Sequence, residues 1–127
     1  MTALYQPQPL ERSSMAAMRA ELLRYAHSQG FAAAEVAVEM GAQIIDINMG
    51  CPVRKVTNDG GGVAMMRDLP RAMATVQAVR AALGETIPVT VKFRAGWDQS
   101  SRNAVEFGQA MQDAGAASLC LHPRTRA

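Results

Sequence analysis

Three short apolar runs, each preceded by a helical stretch that closes on a glycine, constrain the fold of this chain more than any other feature. Residues 31–40 (FAAAEVAVEM) read as the end of a helix stopped by Gly41, since glycine most readily takes the left-handed conformation past a helix C-terminus. Residues 43–48 then read as a buried strand. A glycine-rich loop, Asp59-Gly60-Gly61-Gly62, leads into a short helix around Val63–Arg67. Leu69–Leu83 reads as a longer helix, with Pro70 in its first turn and Met73, Val76, Val79 and Leu83 on one face, ended by Gly84. Pro88–Phe93 (PVTVKF) is a β-branched strand. Asn103–Ala114 is a further amphipathic helix stopped by Gly115, and Ala117–Leu121 is a third strand.

Helix and strand alternating with short connections imply right-handed βαβ units and a parallel sheet. The near-continuous apolar strands predict a sheet covered on both faces. An open doubly wound sheet and part of a (β/α)8 barrel share this pattern. A complete barrel needs roughly 250 residues, against 127 here with three strands. A hydrophobic content of 49% is enough for one modest core. The net charge of +2 is a weak basic bias, compatible with nucleic acid without demanding it. Two cysteines, Cys51 and Cys120, suit a reducing cytoplasm better than a disulfide framework. With no apolar run near the ~18–20 residues of a membrane span and no signal-peptide core, the expectation is a cytoplasmic protein without membrane association. Residues 1–31 are set apart as a tail or isolated helix: Tyr5–Pro9 reads as extended, and Met15, Met18, Leu22 and Tyr25 recur at helical spacing over 13–27.

In parallel α/β proteins ligands bind at the carboxyl ends of the strands. The polar residues of interest fall at those ends. The first strand delivers Asn48 and Cys51, the second Lys92 and Arg94, the third His122, Arg124 and Arg126. The run from Asp46 to Val56 breaks at Gly50 and Pro52, which flank Cys51 and suit a thiol held on an exposed turn. Such a site is rich in positive charge with one thiol, suited to an anionic cofactor and a polar ring. Taken singly, each residue has an ordinary alternative. A free cysteine is usually an inert small hydrophobe, and Cys120, inside an apolar strand, reads as core. Lys92 reads equally as a solvated strand end, His122 as a satisfied polar residue, and Arg124 and Arg126 as surface charges. The Gly60–Gly62 run lacks a Walker or Rossmann pattern and reads as a flexible loop more than a phosphate cradle. Trp97 reads as an aromatic packed beside a loop.

Several segments together resemble the tRNA-dihydrouridine synthases, most closely the bacterial B-type subgroup. They are Asn48-Met49-Gly50-Cys51-Pro52 with Lys55-Val56, Pro88 through Asp98 (PVTVKFRAGWD), Asn103-Ala104-Val105, Ala114-Gly115-Ala116, and Leu121-His122-Pro123-Arg124-Thr125-Arg126. The resemblance covers residues ~32–127 and implies α/β architecture, parallel strands alternating with helices as a partial (β/α)8 (TIM) barrel. It implies FMN as cofactor, NADPH as reductant and tRNA as substrate, with hydride passing to C6 of a flipped-out uracil and a cysteine protonating C5. By position Cys51 is the implied general acid, Lys92 and His122 flavin contacts, and Asn48, with Arg94 and Arg124, the substrate contacts. No metal enters this reading. An ordinary thiol titrates near ~8.5, so at neutral pH it can donate. Base extrusion asks for a thiol on an exposed turn.

The departures are as definite. The Pro-Met-Ala-Gly-like strand and flavin-contacting Gln of the family are not found in residues 1–31, Pro123 stands where the family has Gly, and Gly61-Gly62-Val63 is a looser version of its small-residue segment. The strands that in the family hold the FMN phosphate, and its helical tRNA-binding domain, lie outside the sequence. The expectation is an internal slice of a synthase, and two other readings stand beside it. One is a truncated remnant that binds no flavin. The other is an FMN barrel acting on free pyrimidines, like dihydroorotate dehydrogenase, although there the cysteine or serine loop continues into Pro-Asn rather than Pro52-Val53-Arg54-Lys55.

Overall fold

A computed structural model describes residues 33–127; the expectations for residues 1–31 fall outside them. Helix α1 is described over 33–39. It is followed by β1 (Ile45–Met49), α2 (Arg54–Thr57), a 3₁₀ segment η1 (Gly62–Arg67), α3 (Leu69–Leu83), β2 (Val89–Arg94), a 3₁₀ turn η2 (Gln99–Ser101), α4 (Ala104–Asp113) and β3 (Ser118–His122). The long helices begin and end as their sequences require. Asp68 caps α3 by accepting the Arg71 N–H at 3.2 Å, Pro70 sits in the first turn, and Gly41, Gly84 and Gly115 all take positive φ just past helical segments. The four-residue α2 and the η2 turn have too few apolar positions to show any period in the sequence.

All three strands run parallel in the order β1-β2-β3. Ile45, Ile47 and Met49 stand beside Val89, Val91 and Phe93, and Val91 and Phe93 beside Leu119 and Leu121. These rows share one face because successive strand side chains alternate. Against that face lie Val63, Met65 and Met66 of η1, Ala72, Val76 and Val79 of α3, and Phe107, Ala110 and Met111 of α4, in a single buried cluster. The Phe93 and Phe107 rings meet with centroids 5.3 Å apart.

The opposite face corrects an expectation. It carries Asp46, Asn48, Thr90, Lys92, Ser118, Cys120 and His122, none of them buried. Among the described residues the sheet is therefore covered on one face, not two. Cys120 is likewise exposed rather than in the core. In a strand as short and apolar as SLCLH the composition does not say which alternate residues point inward. Pairing decides it: Cys120 sits opposite Lys92, on the polar face. Leu119 and Leu121 point toward the helices but remain 38% and 49% exposed: β3 is an edge strand, and unlike β1 at the other edge it is incompletely covered among the described residues.

Candidate active site

The polar face is ordered in rows across the strands. Asp46 and Thr90 pair in register and are joined by a Thr90 O–H donating to Asp46 Oδ1 at 2.6 Å. One step further along, Asn48, Lys92 and Cys120 stand side by side. At the carboxyl end Arg94 pairs with His122, and Gly50 lies against the Arg94 stem, since a Cβ built on it would come within 3.5 Å of Arg94 Cγ. Thus the sheet brings Asn48, Lys92, Arg94 and His122 onto one face, with Cys51 on the turn that leaves β1.

That turn is built by Asn48. Its Oδ1 accepts the backbone N–H groups of both Gly50 and Cys51, each at 2.9 Å, in the local side-chain-to-backbone pattern that asparagine favours. With the oxygen so occupied, the Asn48 amide NH₂ is the part of the group left to meet a ligand. From the other side the glycine run closes on the turn. Val63 donates its N–H to Cys51 O at 3.0 Å. Gly62, at φ 54°, approaches so closely that a Cβ there would fall 2.3 Å from Cys51 O. Gly62 and Val63 are thus the seat of the cysteine turn, a role that the run's lack of a nucleotide-binding pattern did not disclose. Gly50, by contrast, does not use a positive φ; the glycine freedom expected there is needed at Gly62. The Cys51 side chain is half-buried.

Arg94 ties this turn to its neighbours. Its Nε donates to Gly50 O at 2.6 Å and its Nη1 to Thr125 O at 3.3 Å. His122 Nδ1 accepts the Arg124 N–H at 3.2 Å, so in the neutral ring the proton stands on Nε2. The Arg124 side chain is exposed and its carbonyl accepts from Ala95 N at 3.1 Å. Arg126 turns to Trp97, its guanidinium 4.0 Å from the ring centre, while Arg67 lies 4.5 Å from the same ring. Trp97 is thus packed beside its loop as expected, with two cations on it. Asp98 caps the η2 turn, and the hydroxyls of Ser100 and then Ser101 hold its carboxyl below the ordinary aspartate value.

Two further features lie outside the residues singled out as site candidates. Asn103 donates Nδ2–H to Met66 O at 2.9 Å and so joins the start of α4 to η1, while its Oδ1 is buried without a partner. An open groove of about 570 Å³ runs between the start of α4 and the end of β3, lined by Val105, Leu121 and Pro123 among others; neither Cys51 nor Lys92 lines it. No helix of the described residues is long and apolar enough to cross a membrane, and no group of three or more His, Cys, Asp or Glu side chains among them is placed to hold a metal.

The family described as "Dihydrouridine synthase (Dus)" matches residues 14–127. The chain belongs to the dihydrouridine synthase family. The match starts ahead of the boundary near residue 32 drawn from the motifs. Among curated relatives, the probable tRNA-dihydrouridine synthase 1 of Synechocystis is 56% identical over 95 residues, 75% of this chain and 26% of that protein. The tRNA-dihydrouridine synthases B of Shewanella oneidensis and Pseudomonas aeruginosa are 49% and 47% identical, over 74% and 75% of this chain. The chain spans only 26–29% of the length of these relatives. The dihydrouridine synthase motifs quoted from the sequence account for the cysteine turn, β2 with its following loop, and the end of β3.

Proposed function

We propose that this chain carries the cysteine-bearing portion of a tRNA-dihydrouridine synthase, an FMN-dependent enzyme that uses NADPH to reduce uridine in tRNA to 5,6-dihydrouridine. The observation that carries the reading is the polar row itself. Cys51 stands on a braced turn at the carboxyl end of β1, next to the sheet face that carries Lys92, in register with Asn48, and the registered pair Arg94 and His122. Its names come from relatives called tRNA-dihydrouridine synthase. In the whole protein the three strands are one arc of a (β/α)8 barrel. Sequential strand order with the helices on one face supports this, since a doubly wound sheet carries helices on both. The exposed polar face then becomes the barrel interior and its mouth.

The donor set fits part of a flavin. Lys92 offers a cation for the electron-rich N1/O2 edge of the ring, and His122 offers an Nε2–H donor. The Gly60–Gly62 run offers no phosphate cradle, because the Gly60 and Gly61 N–H groups go to Thr57 O and Val56 O and Gly62 packs against Cys51 O. When bound, FMN supplies the hydride that reaches C6 of the uracil. Cys51 then gives its proton to C5, so that one hydride and one proton complete the saturation of the C5–C6 bond. Asn48 presents its amide NH₂ beside the cysteine turn to the extruded base. Arg124, at the rim, meets the RNA. A cytoplasmic location follows from the substrate. The relatives carry the names of tRNA enzymes, which favours this reading over the orotate-type one.

The test is direct. The full-length protein, given FMN, NADPH and an unmodified tRNA transcript, forms dihydrouridine measurable by nucleoside mass spectrometry. Formation of none, with turnover of orotate instead, would refute the proposal.

A further inference from the structure

We propose that Arg94 is a positioning residue for Cys51, a latch that ties the carboxyl ends of all three strands together. The sequence reading set Arg94 among substrate contacts, and its geometry assigns it another task. The Nε–H is committed to Gly50 O at 2.6 Å, inside the cysteine turn and 44 residues away in sequence. Nη1 reaches Thr125 O at 3.3 Å, in the segment that follows β3. Arginine alone among the cations has a planar fork able to serve two carbonyls in different directions; lysine presents one compact charge. Both bonds are charge-assisted and part-buried, which strengthens them.

The consequence lies in what each side holds. On the β1 side, Gly50 is gripped twice: Asn48 Oδ1 takes its N–H and Arg94 takes its carbonyl. The peptide planes on both sides of Gly50 are therefore fixed, and the second of them leads into Cys51. On the β3 side, Ala95 N donates to Arg124 O and Arg126 N to Gly96 O, each at 3.1 Å, so the bonded segment is itself anchored to the end of β2. Thr125, whose carbonyl Arg94 holds, is the one buried polar side chain of the described residues. Displacement of residues 124–126 is thereby transmitted to the cysteine turn through a single side chain. Cys51 is set not only by its own loop but by the segment carrying Arg124 and Arg126.

The consequence for turnover rests on the reading of Cys51 as proton donor; the latch itself is tested on the thiol. In the full-length protein, peptide mass spectrometry reads labelling at Cys51 separately from Cys120 and any other thiol. There the ¹⁵N-detected Nε–H of Arg94 should exchange with solvent roughly 10- to 100-fold more slowly than that of an exposed arginine, the span expected of a charge-assisted hydrogen bond. Alkylation of Cys51 by iodoacetamide should rise in Arg94→Ala toward its rate in the urea-unfolded chain. Arg94→Lys, which keeps the charge but cannot span both carbonyls, should share that rise. Methylguanidinium added to Arg94→Ala should bring the rate back down, an effect that simple destabilisation would not give. If Arg94→Ala fails to fold, the exchange measurement on the unsubstituted arginine and the Arg94→Lys rate decide the matter. An Nε–H exchanging as fast as that of an exposed arginine, or an unchanged alkylation rate in Arg94→Lys, would overturn the latch. Loss of tRNA affinity with Cys51 alkylation unmoved would return Arg94 to direct substrate contact. Cys51 can fail as a proton donor with all these readouts intact, so the two readings fall separately.

Discussion

Replacing Gly62 with alanine should damage the cysteine turn far more than the same change at Gly50, although Gly50 is the glycine next to the thiol. At Gly62 the backbone has φ 54°, a conformation that costs an L-residue roughly 1–2 kcal/mol. The new Cβ would also fall 2.3 Å from Cys51 O and 2.9 Å from Cys51 Cβ. Neither neighbour is the end of a flexible side chain, so relief requires the turn to move, at a cost of about 1–3 kcal/mol by analogy with overpacked cores. The sum is ~2–5 kcal/mol, a large share of the ~5–15 kcal/mol that holds an ordinary domain together. At Gly50 a Cβ meets its nearest atoms at 3.5 Å and φ is not positive. Gly50→Ala should therefore change stability by less than ~1 kcal/mol in either direction. Urea unfolding of the full-length protein, followed by circular dichroism, gives both numbers, and mass spectrometry of the alkylated Cys51 peptide shows whether the turn has moved. Equal midpoints and equal thiol reactivity for the two variants would refute the reasoning.

Other consequences are open to measurement. In the 127-residue chain, Cys120→Ala should leave the unfolding free energy within ~0.5 kcal/mol of the parent, as expected for an exposed side chain, and a loss of about 2 kcal/mol or more would contradict its place on the open face. The half-exposed Leu119 and Leu121 on the edge strand, with Val105 77% exposed nearby, should make the isolated chain marginal or self-associating; Leu121→Glu should lower its apparent mass in sedimentation, and a wild-type monomer with a sharp cooperative melt would refute this. Asp98 has its folded pKa below the unfolded value near ~3.9, so its capping contribution is complete above that pH and lost as pH falls through the folded value; Asp98→Asn should flatten this acid limb of the stability profile, and an unchanged limb would show that the cap is not the cause. Lys92→Ala in the full-length protein should weaken flavin retention or flavin reduction by NADPH, and normal values for both would remove Lys92 from the cofactor.

Much of this architecture was legible because backbone chemistry writes it locally. The β-branched run PVTVKF, the apolar QIIDIN and the glycines after each helix mark strands and helix ends within a residue or two of where they lie. The strand-end rule brought Asn48, Cys51, Lys92, Arg94 and His122 to one edge of the sheet before any pairing was known. What stayed hidden depends on contacts distant in sequence. Cys120 reads as core until its pairing with Lys92 turns it outward. Gly62 reads as a loop residue until its contact with Cys51 is seen. Arg94 reads as a substrate contact because the carbonyl it holds lies 44 residues earlier. The four-residue α2 has no buried residue at all, and so no pattern to find.

Cys51 carries the proposed proton transfer, and one pair of rates tests that role. In the full-length protein, Cys51→Ala should bind flavin and oxidise NADPH nearly as the parent does, while dihydrouridine formation in tRNA falls ~10²–10⁴-fold, the loss typical of a missing general acid. Uridine reduction at the parent rate, or loss of flavin together with activity, would contradict the assignment of Cys51 as the proton donor.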